Sequence, residues 1–238
     1  MKKRIVYIIS YFLTVLLMFV CQKPLFMLYN DAMGKDASIT DFAQVMWHAI
    51  SLDATTAGYF TVLPLLMILV SIWVKRLSLK KLLLPYYILV AILLAIVFVV
   101  DMGLYPFWGF KLDASIFLYL DSPEEAMASV STGFIALRIL SMLVYAAFMV
   151  WLMKKVTPKT LDKVHQRIGG TLGMLLLGGV LFVIIRGGVS ESTSNVGQVY
   201  FSSNQFLNHS AVNPCFSLLS SVSKSKDFAS EFNFFEEE

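Results

Sequence analysis

The stretch LLLPYYILVAILLAIVFVV, residues 82–100, runs for nineteen residues without a charge. It is longer than a buried strand, and as a helix it matches the hydrocarbon thickness of a bilayer. Segments 5–22, 57–74, 133–153 and 169–185 share the pattern, and Arg138 is the one charge inside any of the five. At about 1.5 Å per residue they reach roughly 26–32 Å. Helices satisfy their own backbone polar groups, as lipid requires of a spanning segment. The expected fold class is an all-α membrane protein with five transmembrane helices.

Composition agrees. Of 238 residues, 58% are hydrophobic and 15% charged, a balance that ordinary soluble domains do not show. The net charge of +3 is small and dispersed, so nucleic acid is not an expected partner. Cys21 and Cys215 stand in no metal-ligand spacing, and nothing around them suggests a disulfide framework. MKKR ahead of the first run raises a signal peptide, but the run lacks a small-x-small cleavage site, so an uncleaved first span is expected.

Basic residues set the orientation. With a cytoplasmic N-terminus, the inside segments hold Lys2, Lys3, Arg4, Lys75, Arg76, Lys80, Lys81, Lys154, Lys155, Lys159, Lys163 and Arg167, twelve in all. The two outer loops hold three, Lys23, Lys35 and Lys111, beside nine acidic residues from Asp31 to Glu125. The positive-inside rule then reads N-inside and C-outside in a cytoplasmic membrane. Residues 1–188 are the expected transmembrane domain, and 189–238 an extracytoplasmic linker.

The second outer loop, GLYPFWGFKLDASIFLYLDSPEEAMASVS at 103–131, interleaves aromatic rings with Lys111 and Asp113. Such rings suit the membrane interface, where one end is apolar and the other wet. Ser122, Pro123 and Glu125 have the spacing of a helix start with a capping box. In the fifth span, GGTLGMLLLGGVLFVII, the Gly169–Gly173 spacing suggests close helix packing.

Residues for chemistry are scarce. His165 falls on the inner side of this topology, His48 and His209 on the outer, so the three do not converge. No metal-ligand spacing, G-x-S-x-G elbow or phosphate-binding glycine loop appears. The conspicuous charges are Asp101, Arg138 and Arg186, near the outer boundary. One reading pairs Asp101 with Arg138 to hold two spans in register. The other brings Arg138 and Arg186, with Lys111 and Asp113, to a lipid headgroup.

The segment NVGQVYFSSNQFLNHSAVNP, 195–214, is polar and aromatic where the preceding chain is apolar. A short extended stretch is expected around Val199–Phe201, then a helix with Asn213 as N-cap and Pro214 in its first turn. Its apolar face carries Phe216, Leu219 and Val222 and wants a partner surface, serines lining the other side. With RGG at 186–188 and FWGFKLDASIFLYLDSPEEAMASVS at 107–131, the run YFSSNQFLNHSAVNPCFSLLSSVSKS resembles the membrane part of lipoteichoic-acid-synthase-like proteins. These are sulfatase-fold phosphoglycerol transferases of the alkaline phosphatase superfamily, and the resemblance covers essentially the whole chain.

The resemblance implies an extracytoplasmic catalytic domain after this segment. There a Thr activated by a divalent metal, Mn or Mg, takes the headgroup of a phospholipid such as phosphatidylglycerol. It also implies that the chain is cut before that domain. No catalytic residue or cofactor is then expected in this chain, and Phe216, Leu219 and Val222 would dock the catalytic domain. A phosphoethanolamine transferase membrane domain is the nearest alternative. A non-enzymatic scaffold or transporter subunit is the other, although Pro64 and Pro85, which interrupt spans two and three, come with no inverted repeat.

Overall fold

The computed structural model describes residues 1–31, 37–74, 79–120, 131–161 and 166–231. Five long helices dominate: α1 (Lys2–Tyr29), α2 (Ile39–Val70), α3 (Leu79–Trp108), α5 (Thr132–Val156) and α6 (Arg167–Arg186). All five are long and apolar enough to cross a membrane. A short α4 (Ile116–Leu120) follows α3. A 3-10 turn (Val196–Val199), α7 (Gln205–Ala211) and α8 (Pro214–Glu231) follow α6, and no strand occurs among the described residues.

α2 is the hub of the bundle, lying along α1 on one side and α6 on the other, while α3 pairs with α5. α1 buries Tyr7, Tyr11, Val15, Met18 and Phe26 at helical spacing and turns Leu13 and Leu17 outward. α5 buries Ala146, Met149 and Met153 but leaves Leu140, Leu143 and Val144 exposed, an apolar outer face suited to lipid rather than water. α2 and α6 pack closely at Gly58, where a Cβ would lie 2.6 Å from Ile185 Cγ1. The approach expected at Gly169 and Gly173 is not seen: a Cβ at Gly173 would meet nothing within 4 Å among the described residues.

α5 and α6 keep close to their expected limits. The first three helices do not. α1 runs on through Pro24 to Tyr29, α2 begins at Ile39 rather than near 57, and α3 continues past Asp101 and Pro106. Pro64 and Pro85 likewise lie inside continuous helices and break neither. α2 starts early because Ser38 caps it, accepting from the Asp41 N–H while Asp41 accepts from the Ser38 N–H. Val45, Ala49 and Leu52 then bury one stripe of that added length. The helix start expected at Ser122 lies outside the described residues.

Two apolar clusters fill the bundle. One holds Tyr7, Tyr11, Ile68, Tyr87, Met149 and Met153. The other, at the opposite end, joins Phe26, Leu52, Phe98 and Tyr105 to Val199, Phe206, Val212 and Phe216. Residues after 188 therefore share a core with the helices before them.

Candidate functional site

At that second end, the extended parts of α1, α2 and α3 enclose charges. Lys23 of α1 donates to Asp53 of α2 at 2.9 Å, with side chains 2% and 0% exposed. Asn213 donates to the same Asp53 oxygen at 2.8 Å, while its own Oδ1 accepts from the N–H groups of Cys215 and Phe216. One side chain thus caps α8 and fastens it to the bundle. The N-cap expected at Asn213 is present.

A second buried pair lies beside the first. Asp101 of α3 accepts from Lys111 Nζ and, at 2.9 Å, from the Leu112 N–H. The Lys111 ammonium also sits 3.8 Å above the Phe26 ring. Burial pulls the Lys111 ammonium below its ordinary range, and the Asp101 carboxylate opposes that pull. These contacts fold the loop after α3 back over the helix end. Ser221 of α8 closes it by accepting from the Ala114 N–H at 2.8 Å.

The 187–217 segment forms the roof. Gly187 caps α6 in the left-handed region at φ 91°, and a Cβ there would lie 2.4 Å from Ser194 Oγ. Ser194 in turn meets Thr55 at 2.8 Å. Asn208 accepts from the N–H groups of Phe201 and Ser202, and Asn204 caps α7. His209 is buried, with Nδ1 3.0 Å from the Tyr105 hydroxyl and Nε2 facing the Gln205 amide nitrogen at 3.3 Å. Burial holds its pKa below the ordinary histidine value, and the nearby Lys111 charge adds to this. The Tyr105 hydroxyl and the Gln205 amide thus hold the two ring nitrogens between α3 and α7. The extended stretch expected at Val199–Phe201 is only partly present, because Val196–Val199 winds into the 3-10 turn and Tyr200 begins the extended backbone.

The expected Asp101–Arg138 pair does not form. Asp101 is fully buried and occupied by Lys111 and Leu112. Arg138 instead donates to the Tyr29 hydroxyl and lies 4.5 Å from the centroids of both Tyr29 and Phe134. Lys111 is enclosed, which takes it out of reach of a lipid headgroup. Asp113 accepts from the N–H and hydroxyl of Ser115 in a local turn. Arg186 clasps the turn that follows it, donating to the carbonyls of Gly188 and Ser190. Phe216 is buried against this chain's own helices rather than free to dock another domain, Val222 is partly covered, and Leu219 remains 50% exposed.

Lys23, Asp53 and Asn213 were not among the expected site residues. Buried charges persist only when paired and hydrogen-bonded, so this arrangement is a clamp that fixes the roof. Its four charged side chains form two pairs of opposite sign. The described residues include no group of three or more His, Cys, Asp or Glu that could hold a metal ion. The divalent metal implied by the resemblance therefore finds no ligand set among them. No family model, curated protein or solved structure matches the chain.

Proposed function

We propose that the chain is the membrane part of a lipid-headgroup transferase of the phosphoglycerol type. It crosses the cytoplasmic membrane five times, with its N-terminus inside and the 187–231 segment on the outer face. The observation that carries this reading is the clamp on the resembling segment. Asn213 and Asp53 tie the start of α8 to the helix ends, and in this reading that tie sets the height above the bilayer from which a following domain would act. A catalytic domain acting on headgroups gains from being held there, because positioning converts a search in three dimensions into a local encounter. The basic bias of the sequence supports the orientation.

In the proposed reaction the bond between the headgroup phosphorus and the diacylglycerol oxygen of phosphatidylglycerol breaks. A bond to an acceptor hydroxyl forms, and the acceptor proton ends on diacylglycerol. The residues of this chain contribute anchorage and height to it. Deletion of the gene, followed by lipid mass spectrometry, tests the reading. A phosphoglycerol-decorated species should disappear and diacylglycerol should fall, both returning when the gene is restored. An unchanged lipid profile overturns the proposal, and loss of a phosphoethanolamine-decorated species instead overturns its phosphoglycerol part.

A further inference from the structure

Beside the clamp, a groove of about 1160 Å³ opens on the flank of the bundle, bounded by α2, α3, α6 and α8. That is somewhat larger than the roughly 300–1,000 Å³ typical of small-molecule sites. Tyr59, Leu93, Val97 and Phe182 of the long helices line it, and Arg186 and Lys224 line it together with Ser, Thr and Asn side chains. No carboxylate lines it among the described residues.

We propose that this groove holds one acyl chain of an anionic phospholipid, with the lipid phosphate at Arg186 and Lys224. The geometry of α6 supports the depth. Phe182 lies one turn, about 6 Å, before Arg186, which spaces an apolar side chain from a cationic one as a chain is spaced from its headgroup. α8 distinguishes the groove from the ordinary lipid-facing surface of α5: it supplies part of the lining, where α5 has only an open apolar face. The Arg186 guanidinium is already oriented by the Gly188 and Ser190 carbonyls, so less freedom is lost when an anion arrives. The two cations among the described lining residues favour a net negative headgroup over a zwitterionic one. The groove would hold such a lipid whether or not the chain serves a transferase.

The test uses the chain reconstituted in phosphatidylcholine vesicles with a trace of phosphatidylglycerol carrying a photoactivatable acyl chain. Labelled peptides are mapped by mass spectrometry, beside the same probe with a phosphatidylcholine headgroup. Labelling should concentrate on the groove faces of α2, α3 and α6 and be about five-fold stronger with the anionic probe. Val97→Trp, which narrows the groove, should weaken groove labelling while labelling of α5 persists. Phe182→Trp, at a site 66% exposed, does the same without a buried change, should Val97→Trp fail to fold. Lys224→Gln should bring the anionic probe toward the zwitterionic level. Labelling spread evenly over α5 and the groove, or insensitive to Phe182→Trp, overturns the site. Equal labelling by both probes overturns the anionic assignment, and displacement by millimolar glycerol phosphate in solution would overturn the lipid in favour of a soluble anion.

Discussion

Asp53→Ala lowers the stability of the chain by about 3–5 kcal/mol. The carboxylate is fully buried and accepts from both Lys23 and Asn213. Its removal leaves the Lys23 ammonium enclosed without a counter-charge, with only a long contact of 3.5 Å to the Val212 carbonyl. It also frees the residue that caps α8. Lys23→Met with Asp53→Leu removes both charges and keeps side-chain volume, so most of the loss should be recovered even though Asn213 loses its acceptor. Denaturant unfolding in detergent micelles reads both variants. A single-variant loss below about 1 kcal/mol, typical of an exposed ion pair, would show that Asp53 is solvated and the clamp is absent.

The second large effect separates Asp101 from Arg138. Asp101→Ala leaves Lys111 buried and unpaired and strips the Leu112 N–H of its acceptor, again a loss of about 3–5 kcal/mol. Arg138→Ala removes a hydroxyl contact and two ring contacts at a partly exposed position, for a loss of about 1 kcal/mol. A double-mutant cycle should give strong coupling between Asp101 and Lys111 and near-zero coupling between Asp101 and Arg138. Strong coupling in the second cycle and none in the first would restore the pair that helix ends alone suggest.

The contrast shows what a single sequence conveys. Long apolar runs, four of them free of charge and one holding only Arg138, located all five long helices, because apolar stretches of bilayer length rarely occur in water-soluble chains. They could not locate the ends of α1, α2 and α3, since Lys23, Asp53 and Asp101 lower hydropathy just where the helices continue. A finer signal did exist for α2: Ser38 and Asp41 have capping-box spacing, followed by apolar residues at 42, 45, 49 and 52. Pairing was less accessible. Lys23 meets Asp53 only because α1 and α2 lie side by side, and Lys111 was nearer in sequence to Asp101 than Arg138 was. The helix at Pro214 was legible from its cap, but amphipathicity alone does not say which surface covers Phe216. Here the chain's own α1–α3 ends do so.

Topology tests the central claim most directly: a five-span anchor whose clamped roof lies on the outer face of the cytoplasmic membrane. Alkaline phosphatase, active only after export, is fused in separate chains after residue 160 and after residue 225. The enzyme should be inactive at 160 and active at 225. An inactive enzyme at 225 with full-length fusion protein present would put the roof on the cytoplasmic side and contradict that claim.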